Sequence, residues 1–335
     1  MQSSFLVITS IASADHPVLK TYADQATAEG MAFIVVGDRK SPEKFILPGC
    51  DFYSVERQLS LPLSLAPNLP CNHYARKNIG YLVAASRGAE VIIETDDDNL
   101  PYPSFWNARQ KTQNVHVLVD SCWVNVYRYF TPRHVWPRGF ALEHLKNENP
   151  PLSDQRSADC PIQQGLAAVN PDVDAIYRLT QSLPVNFDAA PDVALGRHSV
   201  CPFNSQNTTW FREAFPLLYL PSFCSFRMTD IWRSFIAQRI AWECDWHILF
   251  HQSTVWQERN NHNLLKDFED EIPGYLHNGR IIAALEKLPL QNGKEHIPAN
   301  MRLCYEEIVD MGLIDPKEMG LLEAWLKDLQ AIGDD

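Results

Sequence analysis

Three features of the sequence predict an α/β fold of Rossmann type, with a mainly parallel sheet and a helical extension at its C-terminal end. Short apolar runs at residues 5–9 (FLVIT), 31–36 (MAFIVV) and 90–95 (EVIIET) are separated by stretches of helical periodicity. Alternating strands and helices make a parallel sheet with right-handed crossovers. Each run centres on consecutive apolar residues, as suits a strand covered on both faces. The tail from Met301 carries two amphipathic patterns, near residues 303–313 and 317–332, which read as surface-packing helices.

The elements follow in order. The first strand runs into a small-polar loop at residues 10–15. Asp15 is expected to cap the next helix, with Pro17 in its first turn and Gly30 past its end. The second strand stops at Gly37-Asp38. Residues 74–86 read as a helix, with Ile79, Leu82 and Val83 on one face and Gly88 at the C′ position. The third strand leads straight into Asp96-Asp97-Asp98-Asn99. Residues 115–120 and 123–127 look like strands, residues 146–161 like a polar surface loop or junction, and residues 231–242 like a helix. Ligands of such sheets sit beyond the carboxyl ends of the strands. Ser10, Asp38, Asp96 and Asp98 are expected to converge there.

Composition narrows the function. Of 335 residues, 45% are hydrophobic, enough for a substantial core. Lys and Arg total 29 against 41 Asp and Glu, a net charge of −12, which disfavours nucleic acid as a partner. Eight dispersed cysteines include no C-x-x-C pair; buried free thiols and a cytoplasmic setting are expected. The opening MQSSFLVITS lacks the basic start of a signal peptide, and no run approaches the roughly 20 apolar residues of a membrane span.

Three consecutive carboxylates repel one another unless a cation or solvent relieves them. Hard oxygen donors of this kind suit Mn²⁺ or Mg²⁺. In extended chain, Asp96 and Asp98 would share one side and Asp97 the other. Alone, a D-x-D is as readily a solvated acidic turn. Two rival motifs fail: an EF-hand loop from Asp96 would place Pro101 where glycine is needed, and a phosphatase-type aspartate would follow the first strand, in a motif closing on Thr where Leu100 stands.

The block ARKNIGYLVAASRGAEVIIETDDDN (residues 75–99) resembles the Arg-Asn-Gly helix start, strand and D-x-D of glycosyltransferases, here with a lysine between Arg76 and Asn78. It is similar to the reversibly glycosylated polypeptides, the UDP-arabinopyranose mutases of plants. With VITSIASADHP (residues 7–17), VGDRKSP (36–42), FRMTDIWRS (226–234) and QERNNHNLL (257–265), the chain most resembles STELLO-type glycosyltransferases, over most of residues 5–270. The membrane anchor of the plant members has no counterpart in this sequence, so Golgi residence is not carried over.

That resemblance implies a GT-A-like fold: a nucleotide-sugar-binding half at residues 1–145, an acceptor-side half at 146–270 and a helical extension at 271–335. It implies a metal-dependent transferase that uses a UDP-type or similar donor. Asp96 and Asp98 would hold the ion, joined by a late histidine, His251. The zinc pattern H-E-x-x-H is absent from HILFH at residues 247–251, where the two histidines would share a helix face. Thr9, Ser10, Asp38, Arg76, Asn78, Asp96, Asp97 and Arg227 would contact the nucleotide sugar. Arg76 and Lys77 oppose the helix dipole in its first turn, which makes sense beside an anionic ligand.

Asp230 is read either as general base of an inverting reaction or as N-cap of the helix after it. Trp232 could stack on a sugar or fill the core, and Arg233 could meet phosphate or solvent. Competing functions are a sugar-nucleotide mutase and a non-catalytic nucleotide-sugar-binding scaffold. The acceptor stays open between saccharide, lipid and protein, and self-association stays open too.

Overall fold

The structure is a computed structural model that describes residues 3–258 and 263–334. Residues 259–262 of the QERNNHNLL block therefore lie outside the described residues. The N-terminal part is built from β1 (Ser4–Thr9), α1 (Pro17–Ala28), β2 (Ala32–Val36), β3 (Asp51–Tyr53), α2 (Val55–Leu59), α3 (Lys77–Ser86) and β4 (Val91–Thr95). β5 (Asn99–Pro101), β6 (Thr112–Leu118), β7 (Cys122–Trp123), α4 (Tyr127–Phe130), β8 (Gln155–Asp159), β9 (Ile162–Ala168) and α5 (Ala175–Thr180) follow. The chain ends through β10 (Val193–Leu195), β11 (Ser199–Val200), β12 (Asn207–Phe211), α6 (Thr229–Glu243), β13 (Ile248–Gln257), α7 (Leu264–Leu285), α8 (Ile297–Asp310) and α9 (Glu318–Asp334).

Among the described residues, one eleven-stranded sheet runs β3-β2-β1-β4-β12-β9-β13-β10-β6-β8, with β5 paired to β13. The first four strands are parallel: β1 pairs with β2 from Phe5↔Ala32 to Thr9↔Val36, and with β4 from Ser4↔Val91 to Val7↔Glu94. The carboxyl ends of the three apolar strands thus share one edge, as the sequence predicts. Beyond β4 the sheet becomes mixed, because β12 runs antiparallel to both β4 and β9. Side chains alternate across the parallel part. Val7, Ile34 and Val36 meet Ile79, Leu82 and Val83 on one face; Leu6, Ile8, Phe33 and Val35 meet Leu19, Tyr22 and Ala26 on the other. The fold is therefore α/β with a large central sheet, and the helices of the C-terminal part complete the core: Leu322 and Trp325 of α9 are fully buried in the cluster that holds α3.

Several local expectations are corrected. Asp15 does not cap α1; His16 stands at that position without a side-chain cap, and exposed Asp15 pairs with Lys20 at 3.0 Å. Pro17 starts the helix, and Gly30 and Gly88 adopt the left-handed conformation that ends α1 and α3. The first turn of the helix at residues 74–86 is 3-10, Tyr74–Arg76, before α3 begins. Residues 123–127 hold only the end of a two-residue strand and then the turn of α4. The segment at 146–161 contains β8, an edge strand whose exposed polar residues give no apolar alternation to read. Asp230 is the second residue of α6, whose N-cap is Met228. His247 and His251 lie at and in β13, so no helix face joins them. The 22-residue α7, with Pro273 inside it, begins at Leu264, ahead of the helical extension expected from residue 271, and the sequence does not single it out as a separate helix. The eight cysteines are free; Cys160, Cys201 and Cys304 are buried and Cys122 is exposed. No helix among the described residues is long and apolar enough to cross a membrane.

Candidate functional site

In the order β3-β2-β1-β4 the chain leaves β1 in opposite directions, first to β2 and later to β4. A crevice opens where strand order reverses in this way. Thr9 and Ser10 stand on one side of it and the acidic triplet on the other. Ser10 Oγ donates to Asp97 Oδ2, bridging the two strand ends. Ser41 Oγ donates to the Ser10 carbonyl at 3.1 Å and accepts from Asp38 N at 2.9 Å. Asp38 uses both carboxylate oxygens locally, accepting from Arg39 N at 2.7 Å and His73 N at 3.0 Å. These contacts shape a cleft of about 260 Å³ with Val36, Gly37, Asp38, His73, Tyr74 and Phe226 in its walls. His73 stacks on Tyr74, and Phe226 meets both edge-on.

The triplet is a turn, closed by Asn99 N donating to the Asp96 carbonyl at 3.3 Å, and not extended chain. Asp97 faces Ser10 and Asp96 faces Lys77, on different sides as alternation predicts, while all three carboxylates still border one cleft. Lys77 is fully buried at the start of α3; its Nζ donates to Asp96 Oδ1 at 2.8 Å, to the Thr95 carbonyl at 3.1 Å and to the Ser205 carbonyl at 3.3 Å. Burial raises the Asp96 pKa; Lys77 opposes the rise, while Asp97 and Asp230 add to it. Burial, then the charges of Asp96 and Asp97, pushes Asp98 up to about 7, with Gln257 of β13 as a hydrogen-bonding neighbour.

Opposite the triplet stands Asp230. Its carboxylate accepts from Arg138 Nη2 at 3.1 Å, Ser205 N at 3.1 Å and Tyr74 OH at 3.3 Å. Burial works against its charge, but Arg138, Arg233 and the Ser205 amide outweigh burial and hold the carboxyl below its ordinary range. Arg138 is locked in turn by Asp172, at 2.8 and 2.9 Å. Asp96, Asp97, Asp98, Arg138, Arg227 and Asp230 line a second cleft of about 280 Å³. It shares Thr9, Tyr74, Asp97 and Phe226 with the first, so the two are one continuous trough.

The structure thus brings together Thr9, Ser10, Asp38, Asp96, Asp97, Asp98, Arg227 and Asp230. Arg227 reaches the trough wall while its guanidinium pairs with Glu271 at 2.8 Å. Arg76 touches the first cleft but is 1% exposed, and its guanidinium is engaged by Gln58 Oε1 and the Leu69 carbonyl. Asn78 is buried and holds both the N–H and carbonyl of Leu220; its position serves the fold. Trp232 is a core residue bonded to Asn278, and Arg233 is buried in an ion pair with Glu94 at 2.8 Å, so neither meets sugar, phosphate or solvent. His251 lies six residues before Gln257 on β13 and lines another cleft with Arg109, away from the triplet. Lys77, Tyr74, Arg138 and Ser205 are the site residues that sequence reasoning missed or misplaced. Lys77 stood next to Arg76 in the motif; Arg138 and Ser205 come from irregular segments that carry no pattern.

Three carboxylates countered by one buried lysine are donors suited to a divalent cation. Among the described residues, no three His, Cys, Asp or Glu side chains are already closed round a common point.

Comparison with known proteins agrees with the sequence blocks. The family described as STELLO glycosyltransferases matches residues 227–335. The chain is 28% identical over 326 residues to "Probable glycosyltransferase STELLO2" of Arabidopsis thaliana, and 28% identical over 325 residues to "Probable glycosyltransferase STELLO1" of the same plant. Each alignment takes in 91% of this chain but 42% of the relative, so the chain spans less than half the length of either. Among solved structures, a mannosyl-3-phosphoglycerate synthase from Rubrobacter xylanophilus aligns with 86% of this chain and 76% of its own, at a TM-score of 0.39 and 11% identity. The chain is thus similar to the STELLO-type glycosyltransferases along 91% of its length.

Proposed function

We propose, from this kinship with the STELLO-type glycosyltransferases, that the chain binds a nucleoside diphosphate sugar along the trough and transfers its sugar to an acceptor hydroxyl. The observation that carries the reading is the continuity of the two clefts. An aromatic-walled cleft at the β1/β2 end fits a base and ribose, and it opens through Asp97 and Tyr74 onto the acidic cleft, where a diphosphate and sugar would follow.

Asp98 and Asp96 would hold a Mn²⁺ or Mg²⁺ ion, which when bound offsets the negative charge of the departing diphosphate. Lys77 opposes the rise that burial gives the Asp96 pKa and fixes its carboxylate. Asp97, oriented by Ser10, faces the ribose side. Asp230 lies across the cleft from the triplet, where a carboxylate accepts the acceptor's proton in an inverting displacement. Arg138 and the Ser205 amide fix that carboxylate and set its basicity low, so proton transfer accompanies bond formation rather than preceding it.

Calorimetry with UDP and a set of nucleotide sugars, in Mn²⁺ and in EDTA, tests the reading. Donor binding should require the ion, and Asp98→Ala should abolish the gain that Mn²⁺ gives while leaving the fold intact, since it removes one of three crowded carboxylates. Unchanged Mn²⁺-dependent affinity in Asp98→Ala would remove the triplet from the site.

A further inference from the structure

Another cleft, of about 370 Å³, shares no lining residue with the trough. Arg109 lies in its wall. Its Nε donates to Thr209 Oγ1 at 3.3 Å and its Nη1 to the Asn107 carbonyl, which together fix the plane of the guanidinium. Burial lowers its pKa to about 10, and among the described residues no acidic group offsets that effect. His251 lines the same cleft; burial, then the charge of Arg109, pushes it down to about 4. Asp192 also lines the cleft. Burial raises it to about 6, eased by the Gln252 N–H, and among the described residues no basic group adds to that relief. A cation and a carboxylate therefore line one cavity without compensating each other. The rest of the lining is mainly amide and hydroxyl, including Gln113, Gln163 and Ser253.

Arg109 and Asp192 are each half-buried; a half-buried charge without an opposite charge beside it carries a desolvation cost, and a ligand that supplies one recovers part of that cost. Arginine's planar fork matches a carboxylate. An uncompensated carboxylate matches hydroxyl donors, and glutamine side-chain oxygens accept from hydroxyls, the Gln163 amide nitrogen being already taken by the Gln110 and Cys160 carbonyls. A long polyanion is disfavoured by the net charge of −12. We propose that this cleft binds an acidic saccharide, with the carboxylate of a uronic acid unit on Arg109 and its hydroxyls on Asp192 and the glutamine amides. The site stands apart from the donor trough, and its occupancy is read by binding alone, so it succeeds or fails separately from the transferase reading.

The test uses the full chain in calorimetry and in NMR of the histidine ring resonances. The probes are digalacturonate, the neutral digalactose and acetate. Digalacturonate should bind and should shift the His251 ring resonances. Arg109→Gln should weaken that binding tenfold or more and leave nucleotide binding in the trough unchanged. Asp192→Asn should weaken digalacturonate and digalactose alike. Arg109→Lys keeps the charge but loses the fork, and should also weaken the acid probe; it serves if the glutamine variant fails to fold. The proposal is overturned if digalacturonate does not bind, if digalactose or acetate binds as tightly, or if the Arg109 variants bind digalacturonate like the parent.

Discussion

The two acidic walls of the trough are held in different ways, and their variants should behave differently. Asp96 is the partner of a fully buried lysine. Asp96→Ala strands that charge, and losing a charged hydrogen bond of this kind costs about 1–3 kcal/mol. Asp98 is pushed up by burial and by the charges of Asp96 and Asp97, so removing it relieves repulsion. Urea melts in metal-free buffer should therefore show Asp96→Ala clearly less stable than Asp98→Ala; equal midpoints would mean that Lys77 does not depend on Asp96. Asp230→Asn is a different case. Arg138 keeps Asp172, so no buried cation is orphaned, and the amide oxygen can still accept from Ser205 N. The variant should fold and bind donor, yet lose transfer by about 10²–10⁴-fold, the range of general-base catalysis. Full activity would leave Asp230 a structural role in the Arg138–Asp172 network. A product that retains the donor's anomeric configuration would remove the need for a base here.

At the scale of elements, α3 places Lys77 at the strand ends, and Gly80 lets it come close. A Cβ there would stand 2.5 Å from Val7 Cγ1 and 2.8 Å from Val36 Cγ2. Gly80→Ala gains about 1 kcal/mol of helix propensity but overpacks a tight contact, at about 1–3 kcal/mol. The expected result is a lower melting temperature together with weaker donor binding, because α3 must lift from the sheet and take Lys77 with it. A stabilised variant would show that the contact yields easily. The same elements explain what can be read from sequence. β1, β2 and β4 are buried on both faces and so are written as apolar runs, and Ser10, Asp38 and the triplet follow those strands directly. β9 (IQQGLAA) and β12 (NTTWF) are equally buried, but their polar side chains are satisfied by distant partners such as Asn204 and Thr254, and nothing local announces a strand. In the sequence Asp230 reads either as a general base or as a cap, a common use of Asp; in the structure its oxygens are drawn off by Arg138 and Ser205.

Across the whole molecule, buried groups of opposite titration sense set the pH dependence of stability. Burial pushes His73 and His251, in two separate clefts, down to about 4. Unfolded histidine titrates near about 6.5, so between these values the unfolded chain binds more protons and stability rises with pH. The histidine contribution is complete above about 6.5 and is lost as pH falls through about 4. Asp174 and Asp192 are raised by burial to about 6 (Asp98 has the same sign). Here the folded chain binds more protons. Their contribution is complete below the ordinary carboxyl range, near about 3.9, and is lost as pH rises through about 6. In the window between about 4 and about 6 the two classes oppose each other, each proton being worth at most about 1.4 kcal/mol per pH unit. His251→Gln removes one histidine, so its stability relative to the parent should improve on going from about pH 7 to about pH 4.5. Asp192→Asn removes one carboxyl, so its relative stability should worsen over the same change. Urea midpoints at the two pH values, in EDTA, measure both. If the two variants shift in the same direction, the groups do not titrate in opposite senses, and either His251 is charged in the folded chain or Asp192 is ionised there at acid pH.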